Sequence, residues 1–101
     1  MKDGTAKARI QLLSIEEGGR TEPLRSGYRS LLRFDGTLLD FGFQFDLDPN
    51  LNATWPWLAV GESGRGQVSF WALDELPELR SGMKFEVREG KRVVGLGEIL
   101  S

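Results

Sequence analysis

The sequence predicts an all-β chain, and more narrowly a small closed six-stranded antiparallel barrel. Apolar and polar side chains alternate along several short runs, and clusters of Gly, Pro and Asp interrupt them. No stretch carries the spacing of a long helix. Short strands in an open sheet leave hydrogen-bonding edges exposed, and closure removes them. The 101 residues are read as one domain, 1–101, able to bury roughly 60–70% of the unfolded surface.

Residues 1–5 read as a frayed start. Across residues 6–13, Ala6, Ala8, Ile10 and Leu12 alternate with Lys7, Arg9 and Gln11, as a half-buried strand requires. The glycines and proline of residues 16–23 then make a loop. Tyr28–Phe34 is the second strand, with Tyr28, Ser30, Leu32 and Phe34 on one face and Arg29, Leu31 and Arg33 on the other. Asp35-Gly36 marks a turn. The clearest alternation sets Leu39, Phe41, Phe43, Phe45 and Leu47 against Asp40, Gly42, Gln44 and Asp46, and its aromatic side is read as core. Residues 48–66 lose the period, and Gly61-Glu62-Ser63-Gly64-Arg65-Gly66 reads as a turn. Trp55 and Trp57 in that stretch either plug the barrel end or form an exposed patch. Residues 67–73 make the fourth strand, and residues 74–82 a turn or short helical connection. A final hairpin places strands on either side of Glu89-Gly90-Lys91. Gly95 and Gly97 in its second strand permit bending or close approach of a neighbour.

Composition narrows the chemistry. The chain has no Cys and no His, which excludes disulfides, thiolate nucleophiles, thiolate zinc sites and the commonest general base. The acid pairs Glu16/Glu17 and Asp74/Glu75 lack the spacing of a coordination shell, so no metal is expected. Gly95-Leu96-Gly97 lacks the third glycine of a dinucleotide fingerprint, and no phosphate-loop Gly-Lys-Ser/Thr occurs, so neither nucleotide nor cofactor is expected. The chain is accordingly expected not to be an enzyme. No run approaches the ~20 apolar residues of a membrane span, and Met1-Lys2-Asp3-Gly4 has no apolar leader, so a cytoplasmic location without membrane contact is expected.

Charge is unevenly distributed. Residues 1–34 hold seven Lys/Arg and four acids, residues 35–78 one against eight, and residues 79–101 five against three. Neighbouring terminal strands would give the fold a mildly positive side and a negative one. Arg20, Arg25, Arg29, Arg33, Arg88 and Arg92 suit phosphate oxygens, while Glu16, Glu17, Glu22, Glu86 and Glu89 among them weaken such a field.

Several of these pieces fall in a known order. Glu17-Gly18-Gly19-Arg20, Pro23, Gly27-Tyr28-Arg29 and Phe34 are followed by Gly82-Met83-Lys84-Phe85-Glu86-Val87-Arg88-Glu89-Gly90 and Arg92-Val93-Val94-Gly95-Leu96-Gly97. The arrangement resembles the C-terminal, third β-barrel domain of translation elongation factor Tu, as a stand-alone copy. The resemblance implies a six-stranded antiparallel barrel. In that family the barrel contacts the T-stem of aminoacyl-tRNA, packs on the GTP-binding domain and touches the exchange factor Ts. It implies tRNA-contact positions at Arg20, Glu89 and Gly90, and a Gly18-Gly19 loop facing the GTP-binding domain. Ser30-Leu31 replaces the family's Pro-Gln pair, Lys91 its second glycine and Val93 its threonine.

The expected function is a non-catalytic binding module engaging a protein partner, translation-related by resemblance. Gly18, Gly19, Arg20, Arg29, Arg88, Glu89, Gly90 and Arg92 are the expected contact residues, with Trp55, Trp57 and Leu58 as an apolar interaction patch. The alternative is a weak binder of tRNA or structured RNA through the arginines.

Overall fold

Alternation decides which side of each strand meets the core. In the computed structural model, which describes residues 4–101, β1 (Thr5–Leu12) buries Ala6, Ala8, Ile10 and Leu12 and exposes the residues between them. The expected frayed start lies partly outside the described residues, and Thr5 already belongs to β1. The chain continues through β2 (Leu24–Arg25), β3 (Tyr28–Phe34), β4 (Phe41–Leu47), β5 (Trp57–Leu58), β6 (Ser63–Phe70), β7 (Lys84–Glu89) and β8 (Arg92–Ile99). Six of these close an antiparallel barrel in the order β1-β6-β4-β3-β7-β8, sealed by pairing of β1 with β8. No helix occurs among the described residues.

The aromatic face of β4 is core, as its period required: Phe43 and Phe45 are fully buried. Phe34 lies 6.1 Å from Phe41, 6.1 Å from Phe70 and 6.0 Å from Phe85, edge-on or tilted, within the favourable range for aromatic pairs. Gly97 sits opposite Phe85, where an added Cβ would lie 2.2 Å from the ring, so the glycine makes room for a core aromatic. An extra residue in β8, Val94, forms a bulge against Val87/Arg88 and is itself buried.

Three expectations need correction. Residues 63–66 are not a turn: β6 begins at Ser63. Glycine serves here as a close-contact residue, because a Cβ on Gly66 would fall 2.0 Å from the Asp46 carbonyl oxygen and one on Gly64 2.8 Å from Leu47. The strand also stops at Phe70, leaving Trp71 outside it, and β4 starts at Phe41, leaving Leu39 outside. Leu58 is not part of a surface patch. β5 pairs with β2 in a two-residue ribbon, Leu24 opposite Leu58 and Arg25 opposite Trp57. Successive strand residues face opposite ways, so Leu24 and Leu58 enter the core at 1% and 2% exposure while Arg25 and Trp57 face water.

Strand order also arranges charge. The basic terminal segments bring β1, β8, β7 and β3 side by side, and β4 and β6 with their acidic loops complete the circle.

Candidate functional site

The residues with the closest polar contacts meet where the loop after β1 reaches the end of β7. A reciprocal turn shapes that loop: the Ser14 amide donates to Glu17 Oε1 at 2.9 Å and the Glu17 amide to Ser14 Oγ at 3.2 Å. The amide of Ser14, then its hydroxyl, hold the Glu17 carboxyl below the usual carboxylate range. Gly18 supplies a φ of +85°, and Gly19 lies so close to Leu13 that a Cβ would meet its carbonyl oxygen at 2.5 Å. The chain therefore doubles back and delivers Arg20 toward β3 and β7.

Arg20 is held on every side. Its guanidinium lies 5.1 Å over the Tyr28 ring, Nη1 donates to Glu89 Oε2, and Nε donates to the Glu22 carbonyl at 3.2 Å. Tyr28 donates its hydroxyl to the same Glu89 oxygen at 2.6 Å. Burial, then this bond to Glu89, pushes the Tyr28 phenol up to about 12, so at neutral pH it is a donor and not a base. Gly90 turns with φ +63° directly after Glu89 and leads to Arg92. Arg20, Thr21, Glu22, Glu89 and Arg92 line a shallow cavity of about 180 Å³. The arrangement presents fixed charges and hydrogen-bonding groups around the cavity.

The structure thus gathers Arg20, Glu89 and Arg92 around one cavity, with Gly18, Gly19 and Gly90 shaping its supporting turns. Arg88 and Arg29 lie outside that cavity. Arg88 donates to Glu86 Oε1 at 3.2 Å and to the Lys91 carbonyl at 3.3 Å, and its buried Nε has no partner. Arg29 donates to Gln44 Oε1 at 2.9 Å and stacks 5.6 Å over Trp71. Trp55 and Trp57 each expose 48% of their surface, the exposed-patch alternative, and Arg25 stacks 5.9 Å over Trp57. Sequence reasoning missed Tyr28 as the hub between Arg20 and Glu89, and Arg25 and Trp71 as surface stacks. The one signal was the Gly27-Tyr28-Arg29 motif and the two-residue alternation that begins at Tyr28.

No group of three or more Asp or Glu among the described residues is placed to hold a metal ion. No helix among them is long and apolar enough to cross a membrane.

A closed six-stranded antiparallel barrel with a charged and aromatic outer surface defines a β-barrel binding domain. The chain belongs to the elongation factor Tu C-terminal domain family, whose family model matches residues 2–101. It is 34% identical over 92 residues to Elongation factor Tu 2 of Streptomyces avermitilis, an alignment covering 91% of this chain and 21% of that relative. The chain therefore spans about a fifth of the relative's length. In that family the barrel is the C-terminal domain of a translation factor.

Proposed function

We propose that this barrel is a protein-binding module whose partner belongs to translation. One observation carries the reading: of the four arginines that would meet RNA phosphates, Arg20 and Arg88 are already paired with carboxylates and Arg29 is engaged with Gln44, while two tryptophans stand in water. Arg20 faces Glu89, Arg88 faces Glu86, Arg33 faces Asp40 at 2.7 Å and Arg9 faces Glu98 at 3.3 Å. A phosphate must displace each carboxylate before it gains the arginine, which weakens RNA binding. Of the two arginines at the cavity, Arg92 has no side-chain hydrogen bond or ion pair among the described residues. By contrast Trp55, Trp57 and the Arg25 stack are the residue types that dominate protein interfaces. In this reading Leu58 supports the ribbon from inside, and Gly18, Gly19, Arg20, Glu89, Gly90 and Arg92 supply a polar contact beside it.

Two measurements on the full chain test the proposal. Titration with aminoacyl-tRNA at low and high salt should show no saturable binding; saturable binding that falls steeply with salt overturns it in favour of the RNA reading. Capture on the immobilised chain should retain a protein that Trp55→Ala/Trp57→Ala loses while keeping its thermal midpoint. Equal retention by both chains removes the tryptophans from the interface.

A further inference from the structure

We propose that a second face, at the barrel end where β4 begins and β6 stops, docks a basic, leucine-bearing segment of a partner protein. The inference rests on the protein-binding reading and concerns a different surface from Trp55 and Trp57.

Leu39, Phe41 and Ala72 give a cavity of about 320 Å³ its apolar floor, and Asp40, Asp74 and Glu75 line the remainder. Its size is at the small end of ligand clefts and suits one or two side chains. Three large apolar residues stand in water along its two bounding segments: Leu38 at 87% exposure, Leu39 at 49% and Trp71 at 55%. Covering them removes apolar surface from water, a gain that a partner can supply. Trp71 is held in place beforehand. Its ring lies over Gly42, where a Cβ would be 3.1 Å from Cε3, and Arg29 stacks on it. A fixed aromatic loses little freedom when a partner arrives.

Charge selects the partner. Asp40 is neutralised by Arg33, but Asp74 and Glu75 have no hydrogen bond or ion pair among the described residues. Asp40, Asp74 and Glu75 are the charged residues lining the cavity, with Arg33 on Asp40 and Arg29 on Trp71 beside it. The two carboxylates left without a cation draw one from a partner. An occupant with arginine or lysine reaching Asp74 and Glu75, and a leucine-like side chain entering the floor, satisfies both halves of the surface. A nucleic acid brings phosphates to the two unpaired carboxylates, which disfavours it here.

The test uses nuclear magnetic resonance on the isotope-labelled full chain with three short synthetic peptides: alternating arginine and leucine, alternating glutamate and leucine, and alternating arginine and serine. The arginine–leucine peptide should move the amides of Leu39, Phe41, Ala72, Asp74 and Glu75 saturably, and the other two should not. Asp74→Asn/Glu75→Asn should weaken that binding by roughly threefold to thirtyfold, as loss of two exposed ion pairs implies. Trp55→Ala/Trp57→Ala should bind the peptide unchanged. Shifts elsewhere, equal binding of either control peptide, indifference to the carboxylate change or dependence on Trp55 and Trp57 each overturn the proposal. Shifts at these amides that grow with protein concentration alone would assign the face to a second copy of the chain and overturn it too. Since the peptide arm does not involve the tryptophan pair, its failure leaves the tryptophan-dependent capture to stand or fall by itself.

Discussion

Replacing Glu89 by Gln tests the cluster on which the polar surface is built. The carboxylate accepts from Arg20 Nη1 and from the Tyr28 hydroxyl at 2.6 Å. Gln keeps an acceptor but loses the charge, and charge-assisted hydrogen bonds are roughly twice as strong as neutral ones. The Arg20 and Glu89 side chains are 20% and 37% exposed, so solvent screens part of the difference. A loss of about 1 kcal/mol is expected, equivalent to a fall of roughly 4–8 °C in thermal midpoint for a domain of this size. The chain has a single tyrosine, so ultraviolet absorbance of the phenolate reports Tyr28 alone. In the parent chain it should titrate near its raised value of about 12. In Glu89→Gln it should fall but stay above an ordinary tyrosine, because burial is the larger cause of the rise. The sign of the pH dependence follows: a raised folded value means stability that is whole below the unfolded phenol's titration and lost as pH climbs through the folded one. Glu89→Gln should shrink that alkaline loss. A parent Tyr28 titrating as an ordinary phenol, or one unmoved by the substitution, would refute the reasoning.

Gly66→Ala should destabilise the barrel by about 3 kcal/mol or prevent folding, because the new Cβ meets backbone atoms of Asp46 and Leu47, which cannot rotate away; urea unfolding measures it. Leu58→Ala should cost about 2–4 kcal/mol by the same measurement, whereas Trp55→Ala/Trp57→Ala should leave the midpoint nearly unchanged, a contrast set by 2% against 48% exposure. Arg33→Ala should let the Asp40 carboxyl rise toward its ordinary value, since the Arg33 hydrogen bond is the chief cause of its lowering. The Asp40 contribution is present above the unfolded carboxyl's titration and lost as pH falls through the folded value, so the variant should lose less stability on acidification; chemical-shift titration of Asp40 and acid unfolding check both.

The strands with strict alternation were legible, although the β4 period was read two residues too early, from Leu39. The face of β4 bearing Phe41, Phe43 and Phe45 could be buried in only one way, and β3 and β7 followed the same rule, whereas the Val94 bulge breaks it in β8. Glycines misled at residues 63–66. A glycine that breaks a strand and one that admits a neighbouring backbone look alike in sequence, and only the Asp46 backbone beside Gly66 distinguishes them. Part of the candidate site was legible too. Arg20, Glu89, Gly90 and Arg92 came from motifs and do sit together, but Arg29 and Arg88 of the same set point to other neighbours.

The amino-acid order alone determined the all-β class, the inward faces of the main strands and the absence of thiol and imidazole chemistry, because those depend on residue type and two-residue spacing. Tertiary structure decided what long-range closure brings together. It paired Leu24 with Leu58, turning an expected surface residue inward, set Tyr28 between Arg20 and Glu89 from positions 69 residues apart, and laid Trp71 over Gly42. Such contacts depend on how the strands circle the barrel, and no local pattern encodes that circuit.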